Sequence, residues 1–192
     1  MSGSDRSYHH GDLAGALVRA GIELLEDGGV TELSLRAAAR RAGVSTGAPY
    51  RHFADREALV SAVAAVGYRD LAAQLAAAHA APTSVDDLAD VAVAYVQFAL
   101  TRPGLFRAMF AEPRDPTATE RAAAVENITE YLYSIVRQAL PSDDPDAMAV
   151  ALWGLVHGLA FLHLDGRLDS SSSDAVADRV RAVVRAVLGH GR

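Results

Sequence analysis

Residues 34–60 read SLRAAARRAGVSTGAPYRHFADREALV, and the placing of small, basic and turn-forming residues within them decides the fold. Ser34 can N-cap a short helix through Ala42, with Gly43 at its end. Ser45 or Thr46 can cap a second short helix running to His52, and Asp55 a third, longer one. Two short helices joined at Gly43-Val44 meet the needs of a helix-turn-helix: a glycine for the tight turn and an apolar residue to pin the helices together. The second helix opens on Thr46-Gly47-Ala48, slim enough for its backbone to enter a DNA major groove. Tyr50 and His52 can donate to phosphates beside Arg51. Ser34 to His52 contains four arginines (Arg36, Arg40, Arg41, Arg51) and no acid. A local polyanion contact and a solvated helix face both fit that charge run.

Outward from this stretch, nearly every segment carries helical periodicity. Leu13, Ala16, Leu17, Ala20, Leu24 and Leu25 form an apolar face that stops at Gly28-Gly29. The helix capped by Asp55 runs about 25 residues, to before Pro82. Ser84 to Asp87 opens the next, which ends near Arg102, and Pro103 suits the first turn of a short helix. Glu112 to Pro116 reads as a loop. Thr117-x-x-Glu120 caps a helix to about Leu140, Asp144-Pro145 opens an apolar one closed by Asp165-Gly166, and Ser170 to Ser173 link to a terminal helix, Asp174 to Leu188. That makes an all-α chain of about nine helices, with a three-helix DNA-binding unit over residues 1–56 and a helical unit over 57–192. Val30 to Leu35 is the only β-leaning run and is too isolated to pair.

Composition narrows the classes. The chain has 192 residues, enough for a sizeable core, and no cysteine, which excludes disulfides, thiolate metal sites and cysteine nucleophiles. All 18 basic residues are arginine, and the net charge is −6. Residues 1–56 hold seven arginines against seven acids, and residues 57–192 eleven against seventeen. The basic segment therefore sits on an otherwise acidic body. Met1 to Gly11 lacks the apolar core of a signal peptide. Ala147 to Leu164 reaches the lower edge of a membrane span, but holds His157 and His163 between Asp146 and Asp165; a helix buried on all sides is the reading adopted, with no membrane partner.

Residues 34–60 closely resemble the DNA-binding signature of TetR-family transcriptional regulators. The resemblance rests on the Ala42-Gly43-Val44-Ser45 turn, the Tyr50-x-His52-Phe53 group and the Asp55-Arg56-Glu57 start of the following helix. Tyr8-His9-His10-Gly11-Asp12-Leu13 is similar to the opening of one TetR subgroup. Trp153-x-x-x-His157-Gly158 looks like the core of that subgroup's WHG-type regulatory domain. The resemblance implies that Ser34, Arg36, Tyr50, His52 and Arg56 hold phosphates, that Thr46, Gly47, Ala48 and Arg51 face bases or their edges, and that Ser45 is among the DNA-binding residues. Arg56 stands where lysine is usual, and either cation can meet a phosphate. Pro49 stands where an aliphatic residue is commoner; at the fourth helical position it removes one backbone hydrogen bond.

Beyond residue 57 the resemblance implies a domain that binds a small effector and forms a homodimer on a palindromic double-stranded DNA operator in the cytoplasm. Candidates for the pocket wall are Phe98, Leu105, Met109, Phe110, Tyr131, Trp153, His157 and Phe161, each of which also fits plain core packing. His157 in particular can be a core residue, a ligand-facing group or, given His163 six residues on, a metal ligand. No cofactor or metal site is expected. Few formal charges in these walls suit a largely apolar effector. The terminal helix carries Val176, Val180, Val183, Val184, Val187 and Leu188 on one stripe, a candidate dimer face beside the apolar helix before it. An all-α enzyme or an adaptor without DNA binding are the alternatives. The first lacks a nucleophile–base constellation, and the intact basic segment argues against the second.

Overall fold

The computed structural model describes residues 12–111 and 117–189. The Tyr8-to-Gly11 part of the opening motif and the Glu112–Pro116 loop lie outside the described residues. Among the described residues there are eight α-helices and no strand: α1 (Leu13–Gly28), α2 (Leu35–Arg41), α3 (Arg56–Ala78), α4 (Val85–Thr101), α5 (Pro103–Phe110), α6 (Thr119–Ala139), α7 (Pro145–Leu164) and α8 (Ser173–Leu188). The ninth expected helix, from Ser45 to His52, is instead a turn ending in a single 3-10 helix, Pro49–Arg51. The reason is Pro49. It has no N–H to give the Ser45 carbonyl, which accepts from Ala48 N at 3.0 Å, one residue short of an α-helical bond.

Helix starts follow the polar residues that precede them. Asp12, Ser34, Ser84, Asp144 and Ser172 each accept a backbone N–H from three residues on, and Asp55 does so for α3, from Ala58 N at 2.8 Å. The terminal helix is thus capped by Ser172, within the Ser170–Ser173 link. After α2, Val44 N donates to Ala39 O (3.0 Å) and Gly43 N to Arg40 O (3.2 Å). This double closure requires the left-handed backbone that Gly43 adopts, at φ +70°.

The chain divides into two compact units. The first comprises residues 1–67 and 104–122. Its core joins Leu17 and Leu25 of α1, Leu35 and Ala38 of α2, Leu59 and Val63 of α3, and Leu105, Phe106 and Met109 of α5, all buried. The Glu26 carboxylate, at the end of α1, accepts from Gly104 N (3.2 Å) and Leu105 N (3.3 Å), capping α5.

The second unit comprises residues 68–103 and 123–192. Helix α4 is its centre, with ten buried residues from Leu88 to Ala99. Against α4 lie α7 and α8. Val176, Ala177, Val180 and Val184 of α8 are buried, and Arg181 and Arg185 reach Asp90 (2.9 Å) and Asp86 (2.7 Å) of α4 at the edge of that contact. Much of the valine stripe expected at a dimer face is therefore internal, because α4 supplies an apolar partner within the same unit. The reading of α7 also changes. It is long and apolar enough to cross a membrane by length and composition, yet 33% of its apolar window is buried. Ala149, Leu152, Val156 and Leu159 face inward, while Val150, Trp153 and Leu162 are exposed.

Candidate nucleic-acid interface and ligand cleft

The turn after α2 presents its side chains outward. Ser45, Thr46, Gly47, Tyr50, Arg51 and His52 are exposed and Ala48 is half-buried, whereas Pro49 and Phe53 are buried. The two buried residues anchor the segment, so its polar members can face a partner without loosening the core. Gly47 takes no left-handed backbone, and a Cβ built on it would meet nothing within 4 Å. The fold does not require a glycine there.

Charge on this surface is partly spent internally. Arg41 pairs with Asp27 (2.7 Å) and Glu23 (3.2 Å) of α1, while Arg36, Arg40 and Arg51 of the acid-free run are exposed as well. Arg36 and Arg40 lie four apart on α2 and share a face. Arg56 is half-buried; its Nε donates to Leu33 O (2.8 Å) and its Nη2 to Val30 O (2.7 Å). The residue expected on a phosphate thus ties the α1–α2 connection to the start of α3. Ser34 Oγ accepts from Ala37 N at 3.1 Å, which leaves its own proton to donate.

In the second unit a cleft whose described walls carry no charge lies among α3, α4, α6 and α7, lined chiefly by Leu75, Val91, Tyr95, Ile135, Leu152 and Trp153. It encloses about 30 Å³, a tenth or less of a usual ligand pocket, so a ligand must part its walls. Of the expected pocket residues only Trp153 lines it. His157 and Phe161 stand beside it along α7: the Trp153–His157 and His157–Phe161 ring centroids are 6.3 and 4.9 Å apart. Phe98 is fully buried with Arg102 over its ring, and Tyr131 is half-buried on α6, where loss of solvent raises its pKa. Leu105, Met109 and Phe110 belong to the other unit, where Leu105 and Met109 abut Gly67.

Tyr95 is the residue that sequence reading missed. Its hydroxyl lies 2.9 Å from His157 Nδ1 and accepts from Trp153 Nε1 at 3.4 Å. In the run Val91-Ala92-Val93-Ala94-Tyr95-Val96 it reads as core, and only a polar tip in an otherwise apolar helix marked it. Burial raises its pKa strongly.

The histidines of this unit predict a pH effect. Loss of solvent lowers the pKa of His157, and loss of solvent followed by the nearby Arg179 lowers that of His163, both from an ordinary 6.5. Above that value both are neutral whether the chain is folded or not. Below it the unfolded chain takes up protons that the folded chain resists, so stability falls as pH drops from about 6.5 towards 5. Melting curves at pH 7.5 and 5.5 check this, and His157→Gln should reduce the difference between them.

Two family profiles match the chain. That of bacterial regulatory proteins of the tetR family covers residues 17–63, and that of the tetracyclin repressor-like C-terminal domain covers residues 88–187. Among solved structures, a protein of unknown function from Rhodococcus sp. RHA1 is 33% identical, with a TM-score of 0.79 over 96% of this chain and 99% of that one. A tetR-family bacterial regulatory protein from Rhodococcus RHA1 shares the fold at 21% identity, TM-score 0.69, over 91% of this chain and 96% of that one. A TetR transcriptional regulator from Rhodococcus sp. RHA1 does so at 20% identity, TM-score 0.65, over 93% and 97%. Among curated proteins none matches.

Proposed function

The chain belongs to the TetR family of bacterial regulatory proteins, and from that premise we propose that it is a cytoplasmic, homodimeric repressor released from a palindromic operator by a small, largely apolar effector. It is a transcriptional regulator with an N-terminal DNA-binding domain, not an enzyme. In this proposal residues 1–56 read DNA, and residues 57–192 bind the effector and form the dimer.

The observation that carries the DNA reading is Gly47, exposed and facing open space in a turn flanked by Thr46, Tyr50 and Arg51. Since the fold leaves room for a side chain there, a bare backbone serves close approach by a partner. Arg36 and Tyr50 position the turn on phosphates, and Arg51 reads a base edge. Arg56 then acts by holding the segment rather than by touching DNA itself. Gly47→Leu is expected to melt like the parent, as exposed substitutions do, yet to form no specific complex where the parent saturates. Arg51→Ala should cost about 1–3 kcal/mol and relax preference at one position, whereas Tyr50→Phe weakens all sequences alike. Binding titrations on operator and scrambled DNA separate these. Equal losses on both for Arg51→Ala would make it a phosphate contact.

The dimer reading rests on the outer faces of α7 and α8. Val150, Trp153 and Leu162 are exposed, and Cβ atoms built on Gly154 and Gly158 meet nothing within 4 Å. The exposed side of α8 carries Ala175, Ala182 and Ala186. Two copies sharing these faces about a two-fold axis form a four-helix interface and offer two reading turns to half-sites about 34–36 Å apart or somewhat more. Ala182→Arg should stay folded and scatter light as a chain of 20.2 kDa, while the parent scatters as twice that mass. A parent that is already monomeric at micromolar concentration would defeat the reading.

A further inference from the structure

The cleft of the second unit has a defined polar end. Among the described residues no charged one lines it, and of the twelve that do only Tyr95 and Trp153 carry a polar side-chain atom. An indole N–H can only donate, so Tyr95 Oη is the acceptor in the 3.4 Å contact from Trp153. The same hydroxyl pairs with His157 Nδ1 at 2.9 Å, a contact of ordinary length. The two bonds are unequal. The tyrosine–histidine bond is the short one, while the tryptophan bond, at 3.4 Å, is longer than the usual N–H···O distance. Trp153 borders the cleft, where an entering molecule can reach its N–H.

We propose that the effector of this cleft is an uncharged, apolar molecule bearing one hydrogen-bond acceptor, such as a ketone or ester carbonyl, and that this acceptor takes over the Trp153 N–H from Tyr95. This rests on the reading of the cleft as the effector site. Tyr95 and His157 are positioning residues: they hold the indole edge towards the cleft, and the tyrosine oxygen keeps its bond to His157 when the exchange occurs. A carboxylate or ammonium group finds no counter-charge among the lining residues and loses its hydration on entry. An alkane of the same shape fills the walls but leaves the indole on its long bond.

The test uses three probes of closely similar shape: cyclohexyl methyl ketone, isopropylcyclohexane and cyclohexanecarboxylate. Calorimetry on the full-length protein should give the ketone about a tenfold tighter fit than the hydrocarbon, the size of one added hydrogen bond, and no measurable binding of the carboxylate. In Trp153→Phe the ketone should fall to the hydrocarbon's affinity, with hydrocarbon binding unchanged. Chain melting of that variant verifies that it is folded, since a half-exposed aromatic is exchanged for a smaller one. Equal binding of ketone and hydrocarbon by the parent overturns the acceptor assignment while leaving the cleft as the effector site. A ketone preference that survives Trp153→Phe overturns the role of the indole. Carboxylate binding as tight as the ketone overturns the uncharged class, and binding of none of the three overturns the cleft itself.

Discussion

Replacing Gly104 by alanine is expected to destabilise the protein by about 2–4 kcal/mol, one of the two largest effects among the substitutions considered. A Cβ at this position collides with the carbonyl oxygen and carbon of Leu25 and lies 3.0 Å from Glu26 N. All three atoms are backbone, at the end of α1, and none can swing aside as a side chain would. Helix α5 must back away, which lengthens the two bonds from Gly104 N and Leu105 N to the Glu26 carboxylate and uncaps it. It also draws Leu105 and Met109 from the buried core of that unit. A fall in melting temperature of roughly 5–15 °C corresponds to this loss. Glu26→Gln, which keeps one carbonyl acceptor, should cost much less. An alanine variant that melts with the parent would show that α1 and α5 are not in this close contact.

Val184→Arg is expected to be still more damaging, by about 4 kcal/mol or more, because it places an unpaired charge in the interior. Val184 is fully buried on the side of α8 that faces α4. The nearest acids along α4, Asp86 and Asp90, are already engaged by Arg185 and Arg181. The variant should lose helical circular dichroism or precipitate, in contrast to Ala182→Arg, whose new side chain enters solvent. A soluble, folded monomer from Val184→Arg would restore the valine stripe to the dimer face and contradict the packing described above.

That contrast shows where sequence reading succeeds and where it stops. Helix starts were legible because Ser34, Asp55, Ser84 and Asp144 carry out their capping within three residues. The turn after α2 was legible for the same reason, since Gly43 closes it locally. The apolar side of α8 was legible too, but periodicity states which residues seek cover and not what covers them; α4, some ninety residues earlier, does so. Arg56 looked like a DNA-facing cation because its partners, the Val30 and Leu33 carbonyls, are distant in the chain, as are the Asp27 and Glu23 carboxylates that engage Arg41 of the basic run. The shortened reading turn was partly legible, since Pro49 cannot donate to Ser45. Tyr95 was not, because a tyrosine among valines and alanines follows the pattern of a core residue until its hydroxyl is placed against His157 and Trp153.

The family assignment gives the chain a regulator's task, and the open space at Gly47 supports the proposal that this turn faces DNA. The acceptor-bearing effector is the natural complement, since it would part the walls of a cleft that now encloses only about 30 Å³ and thereby give ligand and DNA a shared conformational equilibrium. Such couplings are typically worth about 1–3 kcal/mol.

The most direct test is an electrophoretic titration of the purified full-length protein against the DNA flanking its own gene, at physiological salt, with scrambled DNA of equal length as competitor. The account predicts a discrete retarded complex on the flanking fragment that survives excess scrambled DNA and is lost in Gly47→Leu at unchanged folding. A protein that binds both fragments equally, or whose Gly47→Leu variant binds as well as the parent, would contradict it.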